Sequence, residues 1–154
     1  TYRQAVDFCD DRAPDTAHRG RFSLQHCFAV TMLHGAPGFE QFEARSLADQ
    51  KTSSLRDRIA VREAADLSTR FPDAYGARIM LTDFAGQRRH IDVATAKGDP
   101  ENPLTMAELR DKAARLIGRA NPGLVTEVLN AEMSVSALLA LFRKLRGSHH
   151  DARS

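Results

Sequence analysis

The sequence predicts an α+β fold, with a buried helix, a small antiparallel sheet that contains a hairpin, and C-terminal helices. Three patterns predict it. Residues 22–34 are apolar almost all round, residues 75–93 alternate with period two on both sides of a short glycine turn, and residues after 105 have helical periodicity. Because no β–α–β unit repeats, α+β is favoured over a parallel α/β fold.

Composition excludes several classes of protein. The chain has 154 residues, of which 42% are hydrophobic and 27% are charged, and this is typical of one globular domain. The net charge is only +2, aromatics are 6% and Trp is absent, so nucleic-acid binding is not expected. The longest apolar stretches are too short to cross a membrane. Two cysteines and no signal-peptide pattern lead us to expect a reduced, cytoplasmic protein.

The first third predicts helices separated by loops. Residues 1–21 should be mostly loop after a short element at 2–9, because Pro14 and Gly20 interrupt them. The helix at 22–34 should end at Gly35, a favourable C-cap residue. Residues 36–57 predict a short turn around Phe39 and Phe42 and a helix centred on Leu55.

The middle third predicts strands. Apolar residues alternate with polar ones at Ile59 and Val61, from Tyr75 to Leu81, and again at 89–93. The turn at 83–86 joins the last two segments as a hairpin. We expect an antiparallel sheet with one buried face.

The last third predicts helices. Thr105 and Glu108 form a capping box directly after Pro103, and a helix should follow. Two further amphipathic segments run from Leu124 to Leu129 and from Leu138 to Leu145, and residues 147–154 should be a disordered tail.

The candidate site lies at the start of the apolar helix. The polar residues gathered there are Arg19, Arg21, Ser23, Gln25 and His26. A helix N-terminus has unpaired N–H groups and a positive partial charge, so it can bind a carboxylate or a phosphate. His26 could bind such an anion or transfer a proton near neutral pH. The alternative is structural: Ser23 caps the helix and His26 is a buried histidine with its hydrogen bonds satisfied.

The other candidates are weaker. The connection from Lys97 to Thr105 is either a second ligand-binding loop or an ordinary surface loop. Cys27 lies in an apolar run and is expected to be an inert thiol. His90 and Asp92 share a strand face but have no third ligand, so no metal site is predicted.

Several short motifs follow one another in a specific order and spacing over roughly residues 1–118. They are Pro14-Asp15-Thr16, Arg21-Phe22-Ser23-Leu24-Gln25-His26, Ala29, Leu33-His34-Gly35, Asp49, Leu81-Thr82-Asp83-Phe84-Ala85-Gly86, the Lys97–Thr105 loop and Glu108-Leu109-Arg110-Asp111-Lys112. Their order and spacing are more specific than any one motif, and together they resemble the MmgE/PrpD family.

The resemblance implies an activity and an architecture. Family members such as 2-methylcitrate dehydratase, cis-aconitate decarboxylase and iminodisuccinate epimerase act on small polycarboxylates without a metal or organic cofactor, typically as homodimers. They have a large helical domain and a smaller α+β lid domain. By this resemblance residues 1–118 are lid-like, residues 119–146 are terminal helices that pack on a helical domain or partner chain, and the helical domain itself is missing.

The resemblance also implies site residues. His26 occupies a cleft-facing position where the family often has Tyr, which makes it the candidate catalytic residue. Arg19, Arg21, Ser23, Gln25 and Lys97 are the candidate substrate-binding residues. The chain is therefore expected to form one wall of the active site of a lyase. The alternative is a non-catalytic module for oligomerisation or interaction that keeps the family fold.

Overall fold

The structure is a computed structural model that describes residues 1–117 and three single positions, Ser136, Leu139 and Ala140. The chain divides into two compact units after Leu104. Within the described residues the fold is mixed α+β, as predicted. The predicted segments 124–129 and 138–145 and the predicted tail lie almost entirely outside the described residues, and the domain boundary near residue 118 stays a prediction.

Seven helices and a two-stranded sheet are described in the first 117 residues. In chain order they are α1 (Arg3–Cys9), α2 (Ala17–Arg21), α3 (Leu24–His34), a 3₁₀ turn (Phe39–Phe42), α4 (Ala44–Leu47), α5 (Gln50–Arg56), α6 (Ala65–Ser68), β1 (Ala77–Thr82), β2 (Arg88–Val93) and α7 (Met106–Ile117). None of these helices has the length and apolar content that a bilayer span needs.

The N-terminal segment contains more helix than the sequence predicts. The predicted element at 2–9 is α1, but residues 17–21 also form a helix, α2, where a loop is expected. Thr16 explains this difference, because its hydroxyl accepts a hydrogen bond from the Arg19 backbone N–H at 3.2 Å and so caps α2. The four-residue helices α4 and α6 are likewise absent from the prediction.

The apolar helix α3 is buried on one face only. Its inward residues are Gln25, His26, Ala29 and Val30, which pack toward α5. Met32 and Leu33 on the outer side are exposed, so the burial of α3 is less complete than its apolar sequence predicts. Gly35 follows the helix with a positive φ of 80°, and its N–H bonds to the Thr31 carbonyl oxygen at 2.9 Å.

The hairpin is confirmed, whereas two other predictions about the sheet are wrong. β1 and β2 pair antiparallel, with Ile79 opposite Ile91. Every residue of β2 is exposed, and in β1 only Ala77 and Ile79 are half-buried. The predicted buried face is therefore not present in the described chain, because a sheet of only two strands covers little of either face by itself.

The strand predicted at Ile59 and Val61 is also absent. Residues 57 and 58 form a turn after α5, and the Ile59 N–H bonds to the Arg56 carbonyl oxygen at 3.0 Å. Residues 60–64 have no regular secondary structure, and the Ala64 N–H bonds to the Thr1 carbonyl oxygen at 2.8 Å. Two alternating apolar residues are too few to define a strand without a pairing partner.

The capping box at the start of α7 forms as predicted. The Glu108 carboxylate accepts hydrogen bonds from the Thr105 N–H and hydroxyl, both at 2.8 Å. The Thr105 hydroxyl oxygen in turn accepts from the Glu108 N–H at 3.2 Å. These bonds satisfy donors that the first turn of any helix leaves without intrahelical partners.

Candidate functional site

The first turn of α3 is the centre of the predicted site. In the structure, the polar groups of this turn are hydrogen-bonded to other groups of the same chain. The Ser23 hydroxyl oxygen accepts a hydrogen bond from the His26 N–H at 2.9 Å, so Ser23 is the N-cap. The same hydroxyl donates to the Asp11 carbonyl oxygen in the loop between α1 and α2. Ser23, Gln25 and His26 have no solvent-exposed surface.

The imidazole of His26 has a partner at each ring nitrogen. Nε2 lies 2.7 Å from the Gln41 carbonyl oxygen, and Nδ1 lies 3.1 Å from Nη1 of Arg56. A carbonyl oxygen only accepts and a guanidinium only donates, so Nε2 carries the proton and Nδ1 accepts. This arrangement assigns His26 as the neutral Nε2–H tautomer. The ring edge also packs against Phe42, with centroids 5.6 Å apart.

The surroundings of His26 disfavour its protonated form. Burial is the main cause of a pKa below the ordinary value of 6.5, and the positive charge of Arg56 lowers the pKa further. The hydrogen bond to the Gln41 carbonyl acts in the opposite direction, but it is outweighed. In the folded chain, His26 is therefore a neutral hydrogen-bonding group near neutral pH.

Arg56 is the main residue of this cluster that no sequence pattern predicts. It is 5% exposed, and its Nη2 donates to the Leu47 carbonyl oxygen at 3.0 Å while Nη1 donates to His26. Its Nε has no hydrogen-bond partner, and no carboxylate within the described chain pairs with it. Thr52 and Arg56 are both buried in the structure. Their spacing of four residues predicts that they share one face of α5, but because both are polar, the sequence does not predict that this face is buried.

The remaining predicted residues at the helix start are engaged by acidic neighbours. The Gln25 amide nitrogen donates to the Asp10 carboxylate, and its amide oxygen is buried without a partner among the described residues. Arg19 pairs with two carboxylates, that of Asp11 at 2.8 Å and that of Asp15 at 3.3 Å. The charge of Arg19 is thus already balanced within the chain.

Two of the predicted cations lie outside this buried cluster. Arg21 is exposed, and its guanidinium carbon lies 5.8 Å from the centroid of the Phe39 ring. Lys97 is exposed in the connection that follows β2, a compact loop in which the Gly98 N–H bonds to the Asn102 carbonyl oxygen at 2.8 Å. The structure therefore brings Ser23, Gln25 and His26 together and places Lys97 on a separate segment.

These positions bear on the two interpretations of the helix start. A side chain without exposed surface cannot touch a substrate in this arrangement, so the geometry matches the structural alternative for Ser23 and His26. The substrate-binding and catalytic assignments stay predictions, and that of His26 requires the contact between its ring and the 3₁₀ turn to open.

Among the described residues, the thiols form no disulfide and the candidate metal ligands form no metal-binding cluster. Cys9 and Cys27 are not joined in a disulfide, and burial raises the pKa of both thiols. Residues 1–117 contain no cluster of three or more His, Cys, Asp or Glu side chains that could hold a metal ion. His90 and Asp92 lie on one exposed strand face, with Nε2 and Oδ2 3.8 Å apart.

Comparison with known proteins decides the family. A family model described as the MmgE/PrpD C-terminal domain matches residues 1–132. The chain belongs to the MmgE/PrpD family. A search of curated proteins returned no match. The resemblance inferred from the sequence motifs is therefore confirmed, and MmgE/PrpD proteins include dehydratases and isomerases.

Proposed function

We propose that this chain is the C-terminal part of a cofactor-independent lyase that acts on a small di- or tricarboxylate and forms one wall of its active-site cleft. The observation that carries the proposal is the match of residues 1–132 to the MmgE/PrpD C-terminal domain. The proposal includes a helical domain or partner chain that completes the cleft, a homo-oligomeric assembly and a cytoplasmic location.

The chemistry of the proposed reaction suits the donors at the start of α3. Removing a proton beside a carboxylate creates negative charge, which preorganised hydrogen-bond donors stabilise. His26 supplies such a donor, because its Nε2–H points at a carbonyl oxygen in the folded chain. In the substrate complex, we propose, Nε2–H exchanges the Gln41 carbonyl for a substrate carboxylate as the 3₁₀ turn moves away. Arg21 and Lys97 are exposed cations that would attract the acid.

The first experiment is an activity assay of the protein together with its helical domain. The substrate panel consists of 2-methylcitrate, cis-aconitate and related polycarboxylates, and the chain alone is the control. We expect turnover only when the helical domain is present. A complete protein that is inactive on the whole panel would overturn the proposal.

A second assay tests the role of His26 itself. His26→Gln keeps a hydrogen-bond donor and an acceptor, whereas His26→Ala removes both. If His26 contacts the substrate, His26→Ala lowers kcat much more than His26→Gln in samples shown to be folded. If both folded variants keep wild-type kcat, His26 is structural and the catalytic assignment fails.

The second candidate function is a non-catalytic module for oligomerisation or interaction. One observation favours it: the paired strands expose apolar side chains, among them Ile91, which is 55% exposed, and Phe84 at the turn, which is 97% exposed. Exposed apolar surface of this kind is common at protein interfaces. Analytical ultracentrifugation tests this candidate, and a strictly monomeric protein that binds no partner would exclude it.

A further inference from the structure

A surface cleft between α3 and α5 lies apart from the buried start of α3. Its volume is about 460 Å³, which lies within the range of small-molecule sites in proteins. Leu33 is seven residues after His26, about 10 Å along the helix axis. The cleft is lined by Leu33, Gln50, Lys51, Ser54, Leu55 and Arg58.

The charged residues of this cleft are both positive. Lys51 and Arg58 are exposed, and within the described chain neither has a carboxylate at ion-pair distance. The Asp49 carboxylate is near Lys51, and the hydrogen bonds from Thr52 are the main reason that its pKa is lowered. Asp49 accepts these bonds from the Thr52 N–H at 2.8 Å and hydroxyl at 2.9 Å, so it serves as the N-cap of α5. Asp49 is still a negative charge near Lys51, but the two cations that line the cleft outnumber it, so the cleft has an excess of positive charge, in contrast to Arg19 with its two acidic partners.

An aromatic ring from the hairpin orients one of these cations. The guanidinium carbon of Arg58 lies 5.3 Å from the centroid of the Phe84 ring at the β1–β2 turn. A cation over an aromatic face is attracted to the ring, and because Phe84 is 97% exposed, this attraction favours positions of Arg58 near the β1–β2 turn without fixing them. Phe84 is thus a positioning residue for the cleft.

The cleft also has an apolar part. Leu33 is 41% exposed and Leu55 is half-buried, and both line the same cleft as the two cations. Gln50 and Ser54 supply neutral hydrogen-bonding groups beside them. A ligand that satisfies all these groups has an anionic head and a short apolar body.

We propose that the α3–α5 cleft binds a small carboxylate with a short aliphatic chain. The carboxylate lies between Lys51 and Arg58, and the aliphatic chain packs on Leu33 and Leu55. Arg58 suits a planar carboxylate because its guanidinium donates two parallel hydrogen bonds. This binding site does not depend on the proposed lyase activity, since its residues lie outside the His26 cluster.

The test is a binding titration of the full 154-residue chain followed by amide NMR. The probes are octanoate, which has both features, octanol, which lacks the charge, and inorganic phosphate, which lacks the chain. We expect saturable shifts at the amides of Lys51, Ser54 and Arg58 with octanoate, weaker shifts with phosphate and none with octanol. Equal shifts with octanol, or shifts spread over the whole surface, would overturn the proposal.

One double variant and a matched control locate the site. Lys51→Gln/Arg58→Gln should weaken octanoate binding by about tenfold or more, because it removes both charge-assisted contacts. The control Arg45→Gln/Arg70→Gln removes the same charge from two exposed arginines elsewhere and should leave binding unchanged. Equal weakening in both double variants would show general charge attraction and refute the site.

Two single variants keep the test informative if the charge variant does not fold. Ser54→Trp fills the cleft without changing its charge and should abolish the octanoate shifts. Phe84→Ala should weaken binding by a few fold through Arg58 while leaving the thermal midpoint unchanged. Octanoate binding that survives Ser54→Trp would refute the cleft as the binding site. Because binding is measured without turnover, loss of octanoate binding and loss of lyase activity are independent outcomes.

Discussion

Replacing His26 by Ala should destabilise the fold strongly, because the imidazole joins two buried groups. The substitution leaves the Gln41 carbonyl oxygen and Nη1 of Arg56 without their partners. Each buried polar group that loses its partner costs about 1–3 kcal/mol, and the lost ring contacts add to this. We expect the free energy of unfolding to fall by about 3–5 kcal/mol.

The comparison variant is His26→Gln, which keeps a donor and an acceptor. It should cost about 1–2 kcal/mol, since its geometry only partly reproduces the imidazole. Urea denaturation followed by circular dichroism measures both values, provided that the slope against urea stays that of the wild type. A loss below about 1 kcal/mol for His26→Ala would refute the hydrogen-bonding arrangement derived for the imidazole.

A double-mutant cycle measures the interaction free energy between His26 and one of its two partners, Arg56. Arg56→Met alone leaves Nδ1 of His26 and the Leu47 carbonyl oxygen unpaired. In His26→Ala/Arg56→Met the guanidinium is no longer left buried beside a missing acceptor. The double variant should therefore cost less than the sum of the single variants, and exact additivity would show that the two side chains do not interact.

Three further predictions concern pH, packing and capping. Because burial and Arg56 hold the pKa of His26 below 6.5, the unfolded chain takes up a proton at a higher pH than the folded chain does. The free energy of unfolding should then fall by up to about 1.4 kcal/mol per pH unit, until the pH reaches the folded-state pKa, and urea midpoints of His26→Gln should lack this component. Gly76→Ala should cost about 1–3 kcal/mol in the same assay, because its Cβ would lie 3.3 and 3.2 Å from the carbonyl oxygens of Val93 and Ala94. Thr105→Ala should reduce helicity by circular dichroism and cost about 1 kcal/mol, and unchanged values would show that the capping box is not stabilising.

Local patterns predicted much of the secondary structure. Three of these patterns are complete within a short stretch of sequence. They are the Thr105 capping box, the alternation around the Gly86 turn and the apolar run that ends at Gly35. α7, the hairpin and α3 appear where these signals place them. The false strand at Ile59 and Val61 failed because two alternating residues match both an extended segment and the irregular chain that follows α5.

The surroundings of His26 could not be predicted from local patterns. Its partners come from the 3₁₀ turn and from α5, and Arg56 is 30 residues away in the chain. Arginine side chains are also usually exposed, and Arg56 is buried only because α5 packs on α3. Anion binding was predicted at Arg19 from its place before the start of α3, and the folded chain instead pairs it with Asp11 and Asp15.

The short segment Asp10–Asp11 links the N-terminal helix to α3 in a way that affects local opening. It accepts hydrogen bonds from the Gln25 amide, the Ser23 hydroxyl and the Arg19 guanidinium. If this segment detaches, the Ser23 hydroxyl loses its acceptor, and the cap over the His26 N–H loosens with it. Deuterium uptake at the His26 amide would therefore report when the stretch that precedes α2 lifts from the protein, although that stretch lies more than a dozen residues earlier in the chain.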